Sequence, residues 1–498
     1  MQQKLKVQAD RNGQWSITLA PTPYGGPYNM EIKGHSEQVS LKNILVGEVW
    51  LASGQSNMEW TVKNSNNAAN EISQAHYPKI RAFNVEKGIS DVPKQDLKGK
   101  WALCSPTTVG DFSAVGYFFS LKLYQELGIP VGIINASWGG TGAETWTSES
   151  GFNKLPAHFK APYQQHFNGS LQSFLKENEL KKQGYLQALT NDPGIAAKWY
   201  GNDTDISGWG KMNIPQLWES KLGDMDGILY LDVEGEKFPL DGDWNYKEAV
   251  TTQQHDYKEV SPNMLPSLLF NAMINPIVPY TIRGVIWYQG ENNAGRAYDY
   301  RSLFPNLIAD WRSQWKTDFP FYWVQLANYM AKEKSPEDSD WAKLRDAQTR
   351  TLRLAHTGQA VITDIGEADD IHPRNKQEVG RRLALIALAK NYGRKNLVYS
   401  GPTFKSVVKE GNKLIISFDV TGGELVVNNK YGYVEGFALA GADKKFVWAQ
   451  AHIDGNRIVV HADQLSSPVF VRYAWSNNPD VNLFNKEGLP AIPFSNEE

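Results

Sequence analysis

The sequence predicts an α/β protein built on a parallel, doubly wound sheet, with a β-rich region at its carboxyl end. Three observations carry this reading. Apolar runs of strand length recur between Ile44 and Gly366, and helical patterns separate them. Turn residues close several of these runs at their carboxyl ends. After about Asn396 the helical patterns stop and short alternating strands take over.

Along the chain, residues 1–42 read as strands and turns: QWSITLA and YNMEIKG alternate, and PYGGPY is a turn cluster. ILVGEVWLAS, from Ile44, reads as one buried strand that ends in GQSN. VGIINAS (131–137), IRGVIWYQG (282–290), FPFYWVQLA (319–327) and GQAVITDIG (358–366) read as further buried strands. FSAVGYFFSLKLYQELG, YDYRSLFPNLIADWRSQW and WAKLRDAQTRTLRLAHTG carry helical patterns, and NKQEVGRRLALIALAKNYG is an amphipathic helix with a glycine stop. The stretch from WYGNDTDISGWG through DGILYLDVEGEKFPLDGDW breaks the rhythm and reads as an inserted β segment. The expected organisation is a β segment over 1–42, an α/β domain in two parts over 43–194 and 261–395, the insert over 195–260, and a β domain over 396–498.

Bulk properties exclude several classes. The net charge is -3 and Lys and Arg never run beyond a pair, so no basic face for nucleic acid is expected. No stretch approaches the roughly 18 apolar residues that span a bilayer, and MQQKLKVQADRNGQW has no apolar signal region, so no membrane partner is expected. The single cysteine, Cys104, rules out an intrachain disulfide and has no companion chemistry, so it reads as structural. The chain has no H-E-x-x-H and no clustered Cys/His set, so neither a metal nor another cofactor is expected. The 17 Trp, 22 Tyr and 20 Phe have two readings: aromatic rings stack on sugars, and they also fill β-rich cores.

Four loops at strand ends carry candidate chemistry, and ligands of open α/β sheets bind at that edge. In Gly54-Gln55-Ser56-Asn57-Met58, a glycine turn presents Ser56, which is a nucleophile or merely the cap of a following helix. A following helix would add positive potential beside a reacting carbonyl. In Asp369-Asp370-Ile371-His372-Pro373, a carboxylate two or three residues before His372 can orient it as a base, unless the loop is plain surface. Trp287-Tyr288-Gln289-Gly290-Glu291-Asn292-Asn293 offers side-chain amides to a developing oxyanion, and Ser137-Trp138-Gly139-Gly140-Thr141 offers backbone amides. Each of these two also reads as an ordinary strand-to-helix turn.

Together GEVWLASGQSNMEW, INASWGGTGAETW, GVIWYQGENN and DIHPRNKQEVGRRLA resemble, in order, the bacterial sialate O-acetylesterase family of SGNH hydrolases. NGQWSITL, LDGDWNYK and RYAWSNNPDVNLFNKEGLPAIPF extend the resemblance over about residues 10–490. It implies a three-layer α/β/α SGNH domain that removes acetyl groups from sugars, without cofactor, in the periplasm or outside the cell. It implies Ser56 as nucleophile, His372 as base and Asp370 as its orienting acid, with Asp369 the alternative on the general SGNH spacing. The implied oxyanion donors are the Ser56 amide, the Gly140 amide and the side chain of Gln289, with Asn292 behind it. Arg374 and Arg296 are candidates for a substrate carboxylate. The chain departs from its relatives in a shorter N-terminal β segment and a shorter insert, which bears on any sugar surface the insert supplies. Two other readings share these features: an esterase for acetylated xylan, and a sugar-binding protein on an inactive esterase fold.

Overall fold

The structure is a computed structural model that describes residues 3–163, 171–214, 230–233, 236–239, 242–258, 260–420 and 422–497. Two compact units divide the chain: residues 1–164 with 262–498, and residues 165–261.

The first unit is built on a seven-stranded sheet. Its strands are β1 (Glu48–Gly54), β2 (Tyr77–Val85), β3 (Gly99–Cys104), β4 (Val131–Ser137), β5 (Gly284–Tyr288), β6 (Phe321–Val324) and β7 (Thr357–Ala360), in the order β7-β6-β5-β1-β4-β2-β3. All neighbours are parallel except the edge pair β2–β3. The helices that matter are the single turn α1 (Ser56–Glu59), α2 (Ala114–Leu127), α3 (Ala297–Trp315), α4 (Asp340–Arg350) and α5 (Lys376–Asn391).

Alternation along the strands assigns the two faces of the sheet. Trp287, Phe321 and Trp323 pack against Phe304 and Trp311 of α3. Trp50 and Tyr322 stack on the opposite face, where Phe119 of α2 meets Trp50 edge-on. Gly380 lets α5 close on α2, because a Cβ there would lie 2.6 Å from Phe118. The result is the expected three-layer α/β/α arrangement with buried strands.

Three differences from the sequence reading have physical causes. QWSITLA forms no strand; those residues are mostly exposed and have no partner strand. The run from Ile44 is two strands, because Ile44–Val46 end an antiparallel hairpin strand (Gln38–Val46, paired with Gly25–Lys33) and Gly47 separates them from β1. At Gly47 a side chain would strike the Pro130 carbonyl at 2.1 Å. The helix after Ser56 is only one turn, too short for a macrodipole to build.

The carboxyl region, Thr403–Ser495, holds two four-stranded antiparallel sheets and a further strand pair. Its own core includes Leu414, Ile416, Phe437, Leu439, Ile458, Val460, Val471 and Tyr473. The second unit contains the helix Leu171–Thr190 and the antiparallel pairs Gly210–Ile214 with Gly242–Tyr246 and Tyr230–Val233 with Glu236–Pro239. Part of DGILYLDVEGEKFPLDGDW lies outside the described residues. Among the described residues no helix is long and apolar enough to cross a membrane.

Candidate active site

Strand order reverses around β1, which lies between β5 and β4, and the four candidate loops leave the sheet at that edge. Gly54 makes the first turn possible. Its φ is +137°, and a Cβ would meet the Tyr288 carbonyl oxygen of β5 at 2.1 Å. The Gln55 amide donates to that same oxygen at 2.9 Å. Gln55 takes the cap position of α1, and its side chain makes no cap bond. Ser56 is therefore left to face the opposite loop.

Ser56 Oγ lies 2.9 Å from His372 Nε2. On the far side of the ring, His372 Nδ1 lies 3.2 Å from Asp370 Oδ1, and the His372 amide donates to the same oxygen at 2.9 Å. Partial burial favours a neutral Asp370, but the bonds from His372 and the nearby Arg374 outweigh it and hold this carboxyl below the ordinary carboxylate range. Trp60 stacks on the imidazole, with centroids 5.1 Å apart and planes 17° from parallel. Asp369 is exposed and makes no such contact. Of the two acids, only Asp370 is brought to His372.

The glycine loop after β4 presses on the serine: a Cβ on Gly139 would lie 3.3 Å from the Ser56 Cβ. The Gly139 amide donates to Glu59 Oε2 at 2.8 Å. The Gly140 carbonyl accepts from Asn263 and Asn292 side chains at 2.7 and 3.0 Å. Among the described residues, the amides of Ser56 and Gly140 donate to no protein acceptor.

Gln289 departs from expectation. Its side chain is fully buried, its Nε2 donates to Thr141 O and Asn293 Oδ1 at 3.1 and 2.6 Å, and its Oε1 accepts from Tyr300. With both N–H bonds committed inside the protein, it has none to offer a substrate. Asn292 is more exposed, and its amide nitrogen already reaches the Gly140 loop. Arg296 also departs: it pairs with the buried Glu144 at 2.6 Å, and Glu144 also accepts from Asn293. Arg374 is half-exposed, with a guanidinium nitrogen 3.5 Å from Asp370 Oδ2.

The sequence reading missed a buried network behind the serine. Asn57 donates to Glu291 Oε1 and to the Ile371 carbonyl at 2.7 and 3.0 Å, and accepts from Lys376 Nζ at 2.5 Å. One side chain thus ties the serine loop, the β5 loop, the histidine loop and the start of α5. Lys376 is fully buried between the Trp60 and Tyr288 rings, and burial lowers its amine to about 7. Burial raises the Glu291 carboxyl. The usable signal was position: Asn57 and Glu291 sit inside the strand-end motifs, and Lys376 is four residues after His372.

Among the described residues no group of three or more His, Cys, Asp or Glu is arranged to hold a metal. Cys104 is buried beneath the sheet edge, and burial pushes its thiol up to about 11, far from a nucleophile's range.

Comparison with known proteins agrees in kind. The family model described as carbohydrate esterase, sialic acid-specific acetylesterase, matches residues 252–389. The mouse sialate O-acetylesterase is 28% identical, covering 99% of this chain and 85% of its own length. The human sialate O-acetylesterase is 28% identical, covering 96% of this chain and 81% of its own length. The crystal structure of a carbohydrate acetylesterase from Xanthomonas citri superposes with a TM-score of 0.74 at 35% identity, covering 99% of this chain and 90% of that one. On this fold, with these four loops at one sheet edge, the chain belongs to the sialic acid-specific acetylesterase family of carbohydrate esterases.

Proposed function

We propose that the chain is an SGNH-type sugar O-acetylesterase that works through an acetyl-enzyme on Ser56. The observation that carries this is the Asp370–His372–Ser56 relay: an ionised carboxylate on Nδ1, and Nε2 within 2.9 Å of the hydroxyl. His372 takes the Ser56 proton as Oγ bonds to the acetyl carbonyl carbon. The Ser56 and Gly140 amides and the Asn292 side chain stabilise the resulting oxyanion, while Gln289 holds the loop that carries Asn292. The C–O bond to the sugar then breaks, and the leaving alkoxide takes the proton from His372. Water, deprotonated by His372, attacks the acetyl carbonyl, acetate leaves, and Ser56 regains its proton.

The half-exposed Arg374 beside this relay supports an acetylated sialic acid as substrate, since its guanidinium can pair with the sugar carboxylate. The same chemistry on a neutral ring would deacetylate xylan. The family resemblance supports a periplasmic or secreted setting, which cell fractionation would check.

Acetate release from O-acetylated sialic acid and from acetylated xylan fragments tests the proposal. Ser56→Ala is expected to lower release by about 10⁴-fold or more. Arg374→Ala is expected to raise KM for the sialate substrate while sparing the xylan fragments. Undiminished release by Ser56→Ala would overturn the mechanism.

A further inference from the structure

A cleft of about 690 Å³ opens in the carboxyl β region, away from Ser56, and its walls do not serve the relay. That volume is within the ~300–1,000 Å³ typical of small-molecule sites. Its aromatic walls are Tyr433, Trp448 and Trp475, with the buried Phe437 behind them. The largest fully buried tryptophans, Trp50, Trp146, Trp287, Trp311 and Trp323, fill the central core; Trp448 is 41% and Tyr433 47% exposed. Their rings are held in place. The Trp448 indole N–H donates to the Lys334 carbonyl at 3.1 Å, and Tyr433 stacks on Tyr431 with planes 15° apart. An anchored, half-exposed ring beside polar groups is what the apolar face of a pyranose packs on.

The polar lining has unused capacity. Glu333 Oε1 accepts from the Asn477 amide, but Glu333 Oε2 and His461 Nδ1 are buried atoms with no hydrogen-bond partner. Both atoms are closed to solvent, so a ligand hydroxyl, which can donate and accept, reaches them only when the side chain turns toward the cleft. The charged lining is Glu333, Glu435 and Asp480 against Lys332, which already bonds to Asp480. An excess of carboxylates repels an anionic sugar and leaves a neutral one unopposed.

The cleft is also tied to the catalytic loop. Asn478, in its wall, bonds to Asn328 and to the Met330 carbonyl at 2.9 and 2.7 Å. Asn328 accepts from the Gly366 amide at 2.6 Å, and the Met330 amide donates to Ala368 at 2.9 Å, two residues before Asp370.

We propose that this cleft is a second carbohydrate site that takes neutral pyranose rings of the glycan whose acetyl ester is cleaved at Ser56. The choice of glycan rests on the esterase reading; the binding does not. Isothermal titration of the full-length Ser56→Ala protein with unacetylated xylohexaose, cellohexaose and N-acetylneuraminic acid tests it. A neutral hexasaccharide is expected to bind, and Trp448→Ala in that background is expected to weaken binding ten-fold or more. Trp448→Ala alone should hydrolyse an aryl acetate like wild type, which reports an intact fold; if it does not, Tyr433→Ala takes its place. Binding by neither hexasaccharide, unchanged binding in the folded variant, or Trp448-dependent binding of the acidic sugar would each overturn the proposal. Hexasaccharide binding by a wild-type protein that releases no acetate would instead sink the esterase reading and leave the cleft standing.

Discussion

Asp369 and Asp370 are neighbours in sequence with opposite surroundings, one in solvent and one against an imidazole. Asp370→Asn is expected to lower kcat by about 10²–10⁴-fold by unseating His372, and Asp369→Asn to leave it within about two-fold. Spacing alone could not separate them, because two and three residues both reach the ring. Gln289 and Asn292 posed a similar choice. Which amide is spent inside the protein depends on Tyr300, Thr141 and Asn293, contacts made only in the folded chain. Asn292→Ala is therefore expected to cost about 10²–10³ in kcat with little change in KM. Lys376 was invisible for a related reason: a lysine opening a polar helix turn ordinarily lies in water. Its amine is held at about 7 against an ordinary 10.5, so between those values the unfolded chain carries a proton that the folded chain lacks. This group therefore makes folding more favourable as pH rises through that window. The melting temperature of wild type minus that of Lys376→Met should grow from about pH 7 to about pH 10; a shrinking gap would mean the amine stays charged in its pocket.

At the level of elements, the strands buried on both faces were legible because continuous apolar runs have few other uses. β2 and β3 were not, since YPKIRAFNV and GKWALC put polar or exposed residues on much of their length at the sheet edge. The break at Gly47 was hidden because the apolar run before it resumes at Val49, after the single polar residue Glu48. The turns are less forgiving than the strands. Gly54→Ala is expected to cost several kcal/mol, about 3 or more, because φ of +137° and a carbonyl at 2.1 Å both oppose a methyl group. Chemical denaturation measures that loss. Gly139→Ala differs in kind: the nearest atom is the Ser56 Cβ at 3.3 Å, so the serine must shift by a few tenths of an ångström. Activity should fall well before stability does, and equal losses in both would contradict this.

At the level of the whole molecule, the order of strand and helix patterns announced one α/β sheet followed by a β region, but not what couples their separate cores. Arg345 of α4 supplies much of that coupling. Fully buried, it donates to Leu326 and Ala327 carbonyls in the α/β part and to Ser476 and Asn477 carbonyls in the β part, all within 2.7–2.9 Å. Arg345→Met removes these bonds and leaves the Leu326 and Ser476 carbonyls without a donor, while Ala327 and Asn477 keep the Trp341 indole and the Tyr329 amide; a loss of about 3 kcal/mol or more and a melting temperature lower by several degrees are expected. Sequence could not reveal this, since nothing in WAKLRDAQTR distinguishes a clamp from a surface arginine. Finally, the 316 positions that separate Ser56 from His372 have a biosynthetic meaning. During synthesis the serine emerges long before its base, so a nascent or truncated chain lacking the last loop carries an inert hydroxyl. Hydrolysis should thus be among the last signals to return on refolding, after the tryptophans of the central sheet have left water.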